Sequence, residues 1–222
     1  MFYRRATLFS KLIYILFIFA FTIINSAAQE YKFSHITEDN GLSQGVVNCI
    51  MQDSRGFMWF GTQDGLNKYD GYNIKIFKHD PKDTNSISNN YIYCIFEDNN
   101  NNLWIGTSGG GLSEYNLSTG KFKTHAHSDS DAYSISDDNV RTIFQDSDGQ
   151  IWAGTENGLV SYDTKTGRFT TFKTDSTNQN SITSSTVFHT LKFKAMQDVH
   201  LCMYVCMHVC MYVYTFHKVT FD

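Results

Sequence analysis

The tetrad Trp-x-Gly-Thr occurs three times in this chain, as Trp59-Phe60-Gly61-Thr62, Trp104-Ile105-Gly106-Thr107 and Trp152-Ala153-Gly154-Thr155, at spacings of 45 and 48 residues. A period of that length means one supersecondary unit repeated and stacked, since a single copy cannot bury its own apolar face. The likeness runs well beyond the tetrad. Ten positions before each Trp stand Cys49, Cys94 and Thr142, nine before stand Ile50, Ile95 and Ile143, and eight before stand Met51, Phe96 and Phe144. Six before stand Asp53, Asp98 and Asp146, and after the Trp come Gly65-Leu66, Gly111-Leu112 and Gly158-Leu159, then Tyr69, Tyr115 and Tyr162.

Each copy reads as four short strands. The first alternates, Val47, Cys49 and Met51 against Asn48 and Ile50, and the same pattern returns through Ile92, Cys94, Phe96 and through Val140, Thr142, Phe144. Asp53-Ser54-Arg55-Gly56 and Asp146-Ser147-Asp148-Gly149 then carry hairpin turn chemistry, with Asn101 in place of the Gly in the middle copy. The Trp strand is apolar on both faces, as in Leu103-Trp104-Ile105, and such a strand must be covered on both sides. A third strand carries the Leu and Tyr, and a fourth runs through Ile74 and Phe77, Phe122, or Phe169 and Phe172. A single Pro and many polar turn residues agree with strands over helices. The expected fold is therefore all-β, a partial β-propeller of about three four-stranded blades, with a solenoid or open meander as the runner-up. Stacking each Trp removes roughly 200 Å² from water, up to about 5 kcal/mol before ordering costs, which explains the repeat without a catalytic role.

Upstream of the repeats, Arg4, Arg5 and Lys11 precede the uncharged run 12–24, and Ser26, Ala27 and Ala28 supply a small-residue cleavage site. That order is a secretory signal peptide, residues 1–28, and its 13-residue apolar run is short of the roughly 20 needed to span a bilayer. Removal of this segment leaves 15 basic against 22 acidic residues, a charge of −7. No basic block tracks a phosphate backbone, so nucleic acid is not an expected partner. Cys49 and Cys94 fall at equivalent positions of neighbouring units, which points to buried thiols rather than a disulfide, and neither has a partner at metal-ligand spacing.

These residues resemble the two-component regulator propeller repeat, found in the periplasmic sensor halves of hybrid two-component regulators of Bacteroidetes-type bacteria. The resemblance covers roughly residues 31–187 and is carried by the run 53–61 and its two later copies. Phe33-Ser34-His35-Ile36 and Asn40-Gly41-Leu42-Ser43 look like the mature start of these sensors. The resemblance implies a ligand-sensing ectodomain, often for glycan fragments, homodimeric in full-length form. Relatives continue into more blades, a further β domain, a membrane span and a histidine kinase with receiver and DNA-binding modules.

The expected organisation is a signal peptide helix at 1–28, the N-terminal strand of an incomplete blade at 29–41, and blades at 42–86, 87–134 and 135–181. The start of a broken fourth blade follows at 182–188 and an aberrant low-complexity tail at 189–222. Connectors Ser86-Ile87-Ser88, Ser134-Ile135-Ser136 and Ser181-Ile182-Thr183 set each next unit. In a fourth copy, position 193 would be Asp and 199 Trp, where the chain has Phe193 and Val199. From 199 a four-residue period takes over, as in Met203-Tyr204-Val205-Cys206, which a tetranucleotide repeat ATGT would encode in any frame. On this reading the tail is translated simple-sequence DNA joined to a truncated propeller gene. Cys202, Cys206, His208 and Cys210 in it lack the separated ligand pairs of a zinc site. Truncation also predicts an exposed apolar blade face and marginal stability.

No catalytic, cofactor-binding or metal-binding set is assigned. Asp53, Asp98 and Asp146 each precede a turn and read as hairpin caps, and Asp146-x-Asp148 lacks the later ligands of a calcium loop. His79, His125 and His127 are read as solvated residues of variable connectors, and His35 as part of the first mature strand. Tyr72, Tyr91, Tyr93 and Tyr133 do not recur in every copy, so they suit variable recognition better than the repeated Trp. The expected function is a periplasmic ligand-sensing propeller segment of a hybrid two-component sensor for glycan-derived ligands, with no enzyme activity of its own. Expected partners are a small glycan and the remaining blades of a full-length sensor anchored in the inner membrane. The alternatives are a fragment of a secreted glycan-active propeller enzyme, which needs paired carboxylates, and a protein-interaction module.

Overall fold

In the computed structural model, the described residues are 35–178, 181–182 and 184–188, and they hold twelve strands and a single short 3-10 turn, Glu38–Asn40. The signal peptide and the low-complexity tail lie outside the described residues, as do residues 29–34 of the expected first strand. Within the described remainder of that segment Glu38–Asn40 form the 3-10 turn, closed by a capping box between Thr37 and Asn40.

The strands form three four-stranded antiparallel sheets in chain order. The first holds β1 (Val47–Gln52), β2 (Met58–Thr62), β3 (Gly65–Tyr69) and β4 (Ile74–Phe77). The second holds β5 (Ile92–Glu97), β6 (Asn102–Thr107), β7 (Leu112–Asn116) and β8 (Lys121–His125). The third holds β9 (Val140–Gln145), β10 (Ile151–Thr155), β11 (Gly158–Asp163) and β12 (Arg168–Phe172). The turns use the conformations their residues permit: Gly56 and Gly149 sit at φ 89° and 85°, and Asn101 takes φ 61° in the middle sheet.

Side-chain size sets how the sheets stack. Their first strands, β1, β5 and β9, lie directly against one another. A Cβ added to Gly61 would stand 2.5 Å from Cys49 Sγ and 2.6 Å from Ile92 Cγ2, and Gly106 and Gly154 are pinned the same way against Val140 and Val187. Further out the gap is filled by rings. Trp59 stacks on Phe77 of its own sheet and meets Tyr115 of the next edge-on, and Trp104 stacks on His125 and meets Tyr162. Small residues at one edge and aromatic rings at the other make each interface a wedge, the physical requirement for stacking sheets radially.

Trp59 and Trp104 are buried, as two-sided coverage requires, whereas Trp152 is half-buried. The column Ile50, Ile95, Ile143 runs the other way, from 61% exposed through half-buried to buried. Ile50 belongs to the face of the first sheet that meets no other sheet among the described residues, a face on which Phe60 and Asn67 are nonetheless buried.

Candidate functional site

The repeated Asp is a clamp as well as a cap. Oδ1 of Asp98 accepts the N–H groups of Asn100 and Asn102 at 2.8 and 2.9 Å, and its Oδ2 accepts Trp104 Nε1–H at 2.9 Å. Asp53 and Asp146 do the same for Trp59 and Trp152. The carboxylates are buried and spent on N–H donors, so the geometry gives them a structural task. The indole bond was not legible in the sequence, although the constant six-residue offset between Asp and Trp was its signal.

Of the three histidines expected to be solvated connector residues, His79 and His127 lie exposed in connectors, whereas His125 departs from that expectation. His125 ends β8, opposite Leu112, in the column that holds Phe77 and Phe172, and its side chain is 8% exposed. There it stacks on Trp104 while Nε2 meets Glu114 at 3.1 Å. An aromatic ring is needed at that position to cover the indole, and imidazole supplies one. His79 and His127 occupy equivalent places and act as latches: Nδ1 of each lies 2.7 Å from the carbonyl of Ile87 or Ile135. Hydrogen bonding to the Ile135 carbonyl, with the Asp129 carboxylate adding to it, raises the His127 pKa above the ordinary value.

Cys49 and Cys94 are free thiols. Burial, the dominant cause, pushes the Cys49 thiol up to about 12 and that of Cys94 higher still, so neither supplies a thiolate near neutral pH.

At the end of the sheets where β1, β5 and β9 begin, the β2–β3-type hairpins meet the connectors entering the next sheet. Gly65 N–H donates to the Asn90 carbonyl, Gly111 N–H to Asp138 and Gly158 N–H to Ser185. A cavity of about 350 Å³ opens beside this seam, lined by His79, Asp83, Ser86, Gly109, Gly110 and Asp138 among others. Its lining includes three carboxylates, Asp80, Asp83 and Asp138, and no Lys or Arg.

Closer to the converging edge, each innermost strand carries a β-bulge at the same place. The pairing registers skip between Val47 and Cys49, between Ile92 and Cys94, and between Val140 and Thr142. The residues left over are Asn48, Tyr93 and Arg141, and a bulge re-aims the extra side chain out of the ladder. Tyr93 lies 5.0 Å from the Tyr91 ring and donates its hydroxyl to Ser108 Oγ at 3.0 Å. The Arg141 guanidinium stands 3.9 Å from the Tyr93 ring centroid and 5.7 Å from that of Phe188. Arg141 also pairs with Glu156, through Nε at 3.1 Å and through Nη2. Of the four tyrosines picked out in the sequence, the structure thus brings Tyr91 and Tyr93 together. Tyr72 lies 93% exposed in the β3–β4 turn, and Tyr133 lies in the connector beside β12 under Arg168. Arg141 and Glu156 escaped the sequence reading because a bulge is a property of strand pairing and leaves no mark in apolar alternation.

Among the described residues there is no grouping of three or more His, Cys, Asp or Glu side chains suited to a metal, and no helix long and apolar enough to cross a membrane. Comparison with known proteins bears on the architecture just described. The family model of the two component regulator propeller matches residues 41–64, 86–109 and 134–157. Histidine kinase P4 of Formosa agariphila is 44% identical over 69 residues, which make up 30% of this chain and 5% of that protein. The extracellular domain of BT3049 from B. thetaiotaomicron, assigned to the hybrid two component systems, is similar with a TM-score of 0.65 at 27% identity, over 71% of this chain and 22% of that one. The extracellular domain of BT4673 from the same organism, assigned as a one component system, gives a TM-score of 0.60 at 24% identity, over 74% and 21%, and bears on the fold alone. The chain therefore spans about a fifth of the length of these solved domains. Three four-stranded sheets thus carry the three stretches that match the two component regulator propeller repeat, and over residues 41–157 the chain is similar to that family.

Proposed function

We propose that this chain is a periplasmic input segment of a two-component sensor, that it binds a glycan-derived ligand, and that it catalyses no reaction itself. The observation that carries this reading is the likeness, at 27% identity, to an extracellular domain assigned to a hybrid two component system. The Asp clamps support it, since the recurrent carboxylates are committed to N–H groups and form no acid and base pair. Mounting variable side chains on a rigid repeated scaffold is how binding surfaces are generally built.

The test is a thermal-shift and turnover screen of the full chain against digests of plant and microbial polysaccharides. A ligand that binds the folded state alone at a hundred times its Kd stabilises by about 2.7 kcal/mol, a shift of several degrees. A saturable rise in Tm with no new reducing ends is the expected result. Release of reducing ends would favour the glycan-active enzyme instead, and a flat response to every digest would remove glycan sensing.

A further inference from the structure

We infer that the bulge residues of the second and third sheets, Tyr93 and Arg141, form with Tyr91 and Glu156 a binding site for a neutral, polyhydroxylated ring. This deepens the sensing reading above, and rests on it for the ligand's being a saccharide.

The case begins with what the bulge does. At the flanking positions the chain repeats small or apolar residues, Val47, Ile92, Val140 and Val187 on one side and Cys49, Cys94 and Thr142 on the other. Those columns pack against the inner-strand glycines and hold the sheets together. Between them the bulge column reads Asn48, Tyr93, Arg141, and Phe188 follows Val187 in the same way. Its chemistry changes at every step, because a residue left out of the ladder has no shared packing task. Tyr93 and Arg141 are half-buried and in contact with each other, so the column forms a continuous surface from one sheet to the next.

The ion pair by itself adds little to stability. A half-buried ion pair roughly breaks even against its desolvation. What the arrangement achieves is preorganisation: Tyr93 and Phe188 flank the guanidinium, Glu156 fixes its edge, and Ser108 fixes the Tyr93 hydroxyl. Tyr91 and Tyr93 set two half-buried rings 5.0 Å apart beside the guanidinium, an aromatic pair against which the C–H face of a saccharide would pack. With Nε and Nη2 of Arg141 both given to Glu156 Oε1, the groups outside that pair, Nη1 and Oε2, set a donor and an acceptor beside each other to match neighbouring hydroxyls. Because Glu156 already balances Arg141, an anionic ring would have to displace a carboxylate to gain the arginine. The site therefore selects neutral rings over uronates.

The experiment is isothermal titration of the full chain with neutral xylo-, manno- and arabino-oligosaccharides and with oligogalacturonates. It is run on the unsubstituted chain and on Tyr93→Ala, Tyr93→Phe, Tyr91→Ala and, in the neighbouring cavity, Asp83→Ala. At least one neutral oligosaccharide is expected to bind, with about tenfold weaker affinity in Tyr93→Ala and a change under about threefold in Tyr93→Phe, which keeps the ring. Should Tyr93→Ala fail to fold, shifts of the Tyr91 and Tyr93 ring resonances on titrating the unsubstituted chain provide the same reading. Neutral binding that survives Tyr93→Ala without those ring shifts, or that is lost in Asp83→Ala instead, overturns the site and leaves glycan sensing standing. Preference for oligogalacturonate overturns the selectivity. Absence of binding by every saccharide overturns the site and the glycan reading together.

Discussion

At the scale of single residues, the molecule depends on one carboxylate per sheet. Asp98 satisfies two backbone N–H groups of its turn and the indole N–H of a fully buried Trp104, so Asp98→Ala strands buried donors. Each such donor costs about 1–3 kcal/mol, and the expected loss is about 3 kcal/mol in urea denaturation. Asp146→Ala should cost visibly less by the same measurement, because water can reach the half-buried Trp152. The thiol of Cys49 predicts a pH effect of known sign. Its folded pKa, about 12, lies above the ordinary 9.0, so the unfolded chain releases its proton first. The contribution to stability is complete below pH 9 and falls as pH rises towards 12. Subtracting the stability profile of Cys49→Ala from that of the unsubstituted chain isolates this decline, and a flat difference curve would contradict the burial of the thiol.

Among the strands, close approach at the inner edge is the most exacting feature. Gly106→Ala would set a Cβ 2.5 Å from both Cys94 Sγ and the Val140 carbonyl oxygen, contacts that β5 and β9 can relieve only by moving apart. The expected cost is about 3 kcal/mol, in the range of overpacked cores. Gly56→Ala meets no neighbour and carries only the strain of a positive φ, about 1–2 kcal/mol, and comparing their Tm values ranks the two effects. Strand number, turn residues and the facing of the Trp strand were all legible in the sequence, because alternation and turn chemistry are local and were written three times. The bulges were not, since Asn48, Tyr93 and Arg141 fit plain alternation until the partner strand is known. His125 was misread for a different reason: its fourth-strand column held Phe77 and Phe172, but the ring requirement became visible only when Leu112 was seen opposite it.

For the stack as a whole, coverage decides which sheet opens last. The second sheet has a described neighbour on each face, with Ile105 and Leu103 buried towards the first and Trp104 towards the third. Native-state hydrogen exchange should therefore be slowest in β5 and β6, with the amides of β12 exchanging sooner. Iodide quenching gives an independent check: only Trp152 emission should be accessible, and Trp152→Phe should abolish the quenchable fraction. The stacking wedge and the bulge place different demands on the chain. Packing is answered by glycine, valine and the rings, while the one residue per sheet omitted from the ladder is held by contacts that differ from sheet to sheet, Asn48 by the Ile92 carbonyl, Tyr93 by Ser108 and Arg141 by Glu156. A gene encoding such a chain can rewrite that letter, so new specificities can arise by point mutation without each requiring a new way to fold.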